Sequence, residues 1–194
     1  MQLPFLAFNP QKVWTPPRPE EWPAFGRAKR ICIDLENCDE KLTELGTGVF
    51  RDDSYVAGVG IKIDDGPKAY IPLRHMGGDN IENPSNFWRW MRDEAAEFKG
   101  DLINCHVAYD AKWMKRMGVV FPKLHRMYDP IIMDTLHYEL HHRADLDSLS
   151  QRWGVPGKNK EHLVAQAKLY GLKNPMAEMH KLPARDVVDY NLGD

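Results

Sequence analysis

The first half of the chain carries hydrophobic patterns that predict β-strands. Residues 30–37 form an apolar, partly β-branched run that ends in two carboxylates, which is typical of a buried strand. Residues 55–63 and 69–73 are further apolar runs, and the turn sequence at residues 64–67 lies between them. These three segments therefore predict an antiparallel meander.

Helical and strand patterns alternate in the second half. Residues 85–99 place large apolar side chains on one helical face, and Gly100 ends that helix. Asp147 is the expected N-cap of a later helix, and Pro183 suits the first turn of the last one. Further helices are predicted at residues 110–117, 134–141, 148–153, 160–170 and 183–194, and further strands at 102–105 and 127–133. This alternation indicates a mixed α/β sheet.

Residues 1–29 precede the first strand and differ from the rest in composition. Five prolines are interleaved with Trp14, Trp22 and Phe25 between residues 9 and 29. Prolines at this density exclude a regular helix and favour extended backbone. We expect an arm that lies along the surface of a domain comprising residues 30–194. A proline-rich ligand for another protein is the alternative.

Composition indicates an ordinary globular protein of one main domain. The chain has 194 residues and a formal charge of −2, so it lacks the basic excess typical of many nucleic-acid-binding domains. Its three cysteines form no CxxC pair, which favours reduced thiols in a cytosol-like compartment. No run of 18 apolar residues predicts a membrane span. Residues 1–8 lack a basic leader and a cleavage site, so no signal peptide is predicted.

Four acidic residues stand in positions that suggest chemistry. Asp34 and Glu36 share one face of the first strand, because side chains alternate with period two. Two like charges at the end of an apolar strand need a cation or a proton, unless that edge of the sheet simply meets solvent. Asp110 lies where a strand enters a helix, a common capping position. Asp194 lies four residues after Tyr190, so the two share a helical face.

Taken together, these residues resemble the DEDD superfamily of 3′–5′ exonucleases, in the tyrosine-bearing subclass. The elements occur in order: Asp-x-Glu on a strand, Tyr-Asp entering a helix, and Tyr-x-x-x-Asp on the last helix. Within that superfamily the likeness is to the proofreading domain of bacteriophage-type family A DNA polymerases, over residues 28–194. The segments at residues 134–136 and 147–154 also look like that family.

The resemblance implies a ribonuclease-H-like fold with a five-stranded mixed sheet. It also implies phosphodiester hydrolysis with two Mg²⁺ or Mn²⁺ ions held by oxygen ligands. Asp34 would bridge both ions, Glu36 and Asp194 would complete the first, and Asp110 would hold the second. Tyr190 would orient the attacking water with help from Glu36, because a phenol that titrates near pH 10 is a poor base at neutral pH.

The positions expected to contact the substrate match the family less closely. His106 stands where the family usually has an asparagine that contacts the terminal nucleotide, and Asn104 lies two residues earlier. Leu35 replaces a frequent threonine and is expected beneath the terminal base. Arg185 is a candidate contact to the phosphate backbone.

The implied partners are the 3′ end of single-stranded DNA and a polymerase domain that continues the same chain beyond Asp194. The implied location is the cytoplasm of a bacterium or of a phage-infected host.

Three other hypotheses fit parts of the sequence. The enzyme could act on RNA 3′ ends, since a two-metal site does not itself recognise the sugar. The domain could be a catalytically silent docking module, although all four acids and the tyrosine are present. His137 and His141, four residues apart, could bind zinc instead, but no HExxH motif accompanies them.

Overall fold

A computed structural model describes residues 14–140, 145–158 and 160–193 of the chain. The core of the fold is a five-stranded sheet in the order β3-β2-β1-β4-β5. β1 pairs antiparallel with β2, and β2 with β3, whereas β4 and β5 extend the sheet in parallel. This ribonuclease-H-like α/β arrangement confirms the expected fold class. The strands are β1 (Arg30–Cys38), β2 (Tyr55–Ile63), β3 (Lys68–Pro72), β4 (Asp101–Ile103) and β5 (Arg126–Tyr128).

Helices flank the sheet. In the described residues they are α1 (Leu42–Leu45), α2 (Pro84–Glu97), α3 (Val107–Arg116), α4 (Pro130–His137), α5 (Leu146–Trp153), α6 (Glu161–Leu169) and α7 (Val188–Asn191). None of these helices combines the length and the apolar character that crossing a membrane requires.

Two helix starts differ from the sequence prediction. The strand predicted at residues 127–133 ends at Tyr128, because Asp129 caps α4 by accepting a hydrogen bond from the Ile131 N–H at 3.0 Å. In α5 the N-cap is Asp145, which accepts from the Ser148 N–H at 2.9 Å, so the assignment of Asp147 as the cap was wrong.

The end of the chain and one loop also differ from expectation. A single helix was predicted from Pro183 onward, but 3₁₀ turns at Met179–Lys181 and Ala184–Asp186 precede the short α7. The region predicted as a loop after β1 contains the single-turn α1.

The sheet buries both of its faces. On one face Ile31, Ile33 and Leu35 of β1 pack with apolar residues of α2 and α3 in the larger core. On the other face a smaller core gathers Tyr70 of β3 with residues of α6, α7 and the turns before it. The second face is where the polar side chains of β1 emerge, so the terminal segment of the chain covers the acidic part of the sheet.

The described part of the proline-rich arm is anchored to α2 by aromatic rings. Trp22 and Phe25 are buried, and their rings lie 5.4 and 5.7 Å from the ring of Trp90. Phe25 also packs edge-on against Phe98, at 6.0 Å. A 3₁₀ turn at Pro19–Glu21 is the one helical turn in residues 14–29. The arm therefore lies along the domain and contributes to its core.

Truncation of Phe25 tests whether the arm stabilises the domain. Because this side chain is fully buried, Phe25→Ala should lower the free energy of unfolding by about 3–5 kcal/mol. The matched control is Phe50→Ala, at a phenylalanine that is 93% exposed, which should change it by about 0.5 kcal/mol or less. Urea unfolding measures both; equal effects would show that the arm does not contribute to stability.

Candidate active site

Strand β1 presents Asp34 and Glu36 on the same face of the sheet, as the alternation predicts. Asp34 lies opposite Gly60 of β2, and Glu36 lies opposite Gly58. Leu35 between them, like Ile31 and Ile33, points to the other face and is buried in the larger core. Glu36 is only 7% exposed, so its carboxylate depends on protein groups for most of its polar contacts.

Asn191 of α7 bridges these two carboxylates. Its side-chain Nδ2 donates to Asp34 Oδ2 at 3.0 Å and to Glu36 Oε1 at 3.1 Å. The residue is 2% exposed, and its Oδ1 has no hydrogen-bond partner among the described residues. Sequence reasoning missed Asn191; the available signal was its position directly after Tyr190 on the last helix.

The two glycines of β2 make room for this arrangement. A Cβ at Gly60 would lie 1.9 Å from Asn191 Oδ1, and a Cβ at Gly58 would lie 2.0 Å from the hydroxyl of Tyr70. Any side chain at either position would therefore collide with the groups that pack over the strand. The Gly58-Val59-Gly60 sequence of β2 therefore serves close packing.

Asp110 reaches the same region from α3. It is 4% exposed and accepts a hydrogen bond from Asn104 Nδ2, which also donates to the carbonyl of Ile33 at 2.6 Å. Asn104 thus ties the carboxyl of α3 to the backbone of β1. Asp110 does not cap α3: the N-cap residue is His106, and the Val107 N–H donates to Asp129 at 3.2 Å, so Asp110 is available to the site.

Burial and mutual repulsion dominate the electrostatics. Burial, together with the neighbouring Asp34, raises the pKa of Glu36 to about 7 and that of Asp110 to about 9. Burial also raises the pKa of Asp34 above its ordinary value, and the ammonium of Lys158 opposes this shift. The pKa of Tyr190 lies above the usual tyrosine range because of burial and the nearby carboxylates. The site therefore retains protons near neutral pH in the absence of an added cation.

Part of this group opens onto a cleft of about 420 Å³, whereas Glu36, Asp110 and Asn191 are not among its lining residues. Tyr190 is 8% exposed and lines the cleft with Asp34 and Asn104. His106 also lines the cleft; it is exposed, precedes α3, and has a left-handed φ of 55°. Lys158 places its Nζ 3.9 Å from Asp34 Oδ2 and 4.4 Å from the centre of the Tyr190 ring.

Several candidate residues lie elsewhere. Leu35, expected beneath the terminal base, is 6% exposed and packs in the larger core on the opposite face of β1. The guanidinium of Arg185 pairs with Asp79 at 3.2 Å. Arg185 is not among the described residues that line the cleft. The ring of His137 packs at a tilt against that of Trp153, with the ring centres 5.5 Å apart, whereas His141 and Asp194 lie outside the described residues.

The donor chemistry suits a hard divalent cation. Asp34 and Glu36 offer carboxylate oxygens of the kind that Mg²⁺ and Mn²⁺ prefer, and the unpartnered amide oxygen of Asn191 lies beside them. Within the described ranges, no group of three histidine, cysteine, aspartate or glutamate side chains is arranged to hold a metal ion. The ligand set expected from the sequence is complete only with Asp194.

Gly60→Ala tests the close packing of α7 on β2. The added methyl group would displace Asn191, so we expect a loss of about 1–3 kcal/mol in the free energy of unfolding. Gly157→Ala is the control, because a Cβ there meets only the Ser150 side chain at 3.8 Å. Thermal unfolding compares the two; a Gly60→Ala protein as stable as the control would contradict the packing described.

The pH dependence of stability tests the burial of Asp110. Its pKa is about 9 in the folded protein and near 3.9 when unfolded, so between pH 7 and 8.5 the native state holds a proton that the unfolded state has lost. Stability in EDTA should therefore fall with rising pH, by up to about 1.4 kcal/mol per unit from this group. Asp110→Asn should flatten the slope in urea unfolding; parallel slopes would show that Asp110 does not retain its proton.

Comparison with known proteins adds one relationship. No protein-family model matches the chain. Over 178 residues the chain is 35% identical to a DNA-directed DNA polymerase of Pseudomonas phage M6. The aligned region is 91% of this chain but 26% of the phage protein, so the chain spans about a quarter of the length of that relative. Nearly all of this chain is thus similar to one part of a phage DNA polymerase.

Proposed function

We propose that the chain is a metal-dependent 3′–5′ exonuclease that proofreads DNA as part of a longer DNA polymerase. The observation that carries the proposal is the convergence of Asp34, Glu36 and Asp110, with Tyr190 beside Asp34 in the cleft. The similarity to part of a phage DNA polymerase supports the DNA substrate and the association with a polymerase domain.

The carboxyl groups would hold two divalent cations. Asp34, Glu36 and Asp194 are the proposed ligands of one ion, and Asp110 with Asp34 of the other. When bound, such ions lower the pKa of a water molecule and stabilise the leaving oxygen of the phosphodiester. Because the pKa values of Glu36 and Asp110 are raised, these side chains must release protons to act as ligands.

Tyr190 is suited to orient water and unsuited to abstract its proton. Its pKa is above the usual range, so its hydroxyl remains protonated at neutral pH and can donate a hydrogen bond. Once Glu36 is ionised, its carboxylate is a nearby acceptor for the proton of the same water. Asn191 holds that carboxylate in place through its hydrogen bond of 3.1 Å.

The shape and rim of the cleft suit a strand end. A volume of about 420 Å³ lies in the range of pockets for one small ligand, which is enough for a single terminal nucleotide. His106 at the rim can donate to a sugar or phosphate oxygen, so it can replace the asparagine usual at this place.

Digestion of a 5′-labelled single-stranded DNA with Mg²⁺, Mn²⁺ or EDTA tests the proposal. We expect a ladder that shortens from the 3′ end only when metal is present. Asp34→Ala should reduce the rate at least about a thousandfold, and Tyr190→Phe by about a hundredfold because water loses its orienting donor. Asp189→Ala changes an exposed carboxylate next to Tyr190 and should leave the rate unchanged.

Other outcomes of this assay favour the competing hypotheses. Faster digestion of a matched RNA oligonucleotide would identify an exoribonuclease. Absence of cleavage by a folded protein, without any metal-induced rise in melting temperature, would favour a silent docking module. Zinc found after purification, and lost in His137→Ala, would favour the histidine site.

A further inference from the structure

Lys158 occupies an unusual position for a lysine. It lies in the segment between α5 and α6, and its side chain is only 13% exposed. The ammonium faces the carboxylate of Asp34 on one side, at 3.9 Å, and the ring of Tyr190 on the other, at 4.4 Å. Both contacts favour a cation, one through opposite charge and one through the aromatic quadrupole.

The charge of Lys158 acts on the whole acidic cluster. It lowers the pKa values of Asp34, Glu36 and Asp110, against the effect of burial. Neighbouring Lys160 differs, because its ammonium pairs with Asp147 and its side chain is 42% exposed. Two lysines in one short segment thus have different roles: one neutralises the cluster, and the other forms an ion pair nearer the surface.

We propose that Lys158 is the internal counter-ion of the carboxylate cluster, and that a divalent cation binding to Asp34 displaces its ammonium. This inference rests on the proposed metal-dependent function and adds a residue to it. An ion held by Asp34 and an ammonium at 3.9 Å from the same carboxylate repel each other strongly in a cleft of low dielectric constant.

Displacement would also give Lys158 a second role, which is contact with the substrate. Lys158 itself lines the cleft, so the released ammonium remains close to the place where a terminal nucleotide would lie. A lysine ammonium is a compact point charge that binds phosphate oxygens. The same side chain would neutralise the carboxylates before the metal binds and contact the substrate backbone afterwards.

Binding of Mn²⁺ alone, followed by the electron paramagnetic resonance signal of the free ion at constant pH, tests the displacement. In Lys158→Met the competing cation is gone, so the dissociation constant for Mn²⁺ should be about tenfold lower than in the unmodified protein. Lys158→Arg keeps the charge and should stay close to the unmodified protein. Lys160→Met is the matched control and should also show no change.

A second measurement uses the unmodified protein and does not depend on the folding of a variant. Limited acetylation with an amine-reactive ester, read by mass spectrometry, reports how accessible each lysine is. Saturating Mn²⁺ should raise the modification rate of Lys158 several-fold, since its ammonium leaves Asp34. The rate at Lys160 should not change, which makes it an internal reference.

The outcomes separate this inference from the function on which it rests. Mn²⁺ binding that requires Asp34, but is no tighter in Lys158→Met and does not alter acetylation of Lys158, would overturn the inference alone. No binding of Mn²⁺ that depends on Asp34 would overturn the proposed metal site and the inference together. Tighter binding in Lys160→Met as well would show a general charge effect and would also overturn it.

Discussion

The repulsion between two carboxylates on one buried face of a central strand is the constraint on which this structure depends. Asp34 and Glu36 lose most of their hydration in the sheet, and unpaired buried charges are strongly unfavourable. The surrounding elements replace the hydrogen bonds and the charge stabilisation that water would provide. Asn191 donates to both groups, and Lys158 brings a positive charge.

Asn191 can reach the two carboxylates because α7 packs close to the backbone of β2. The last helix reaches the strand only because Gly60 has no side chain, and Tyr70 fits over Gly58 for the same reason. A hydrogen bond of Tyr70 to His75, at 2.6 Å, and one between His75 and the carbonyl of Leu182 at 3.0 Å, connect β3 to the segment before α7. The position of the terminal segment is therefore determined by contacts with the sheet.

The raised pKa values of the carboxyl groups are consistent with the proposed metal-dependent function. Under that proposal, a divalent ion would replace the protons and the lysine ammonium and stabilise the cluster. The fold does not by itself specify such chemistry, because many functions occur on similar sheets. In this chain, the proposal of DNA hydrolysis comes from the particular residues in the cleft and from the similarity to a phage polymerase.

The sequence by itself determined the elements whose signals are local. The alternation in residues 30–37 placed Asp34 and Glu36 on one face, the bounds of β2 were predicted correctly, and the order of strands and helices indicated the mixed sheet. Only the tertiary structure decided which distant groups meet these carboxylates. No local pattern predicts that Asn191 or Lys158 contacts Asp34, since each lies more than 120 positions from it along the chain. The alternation also puts Leu35 on the opposite face of β1. Only the packing of α2 and α3 against that face decides that it is buried in the larger core.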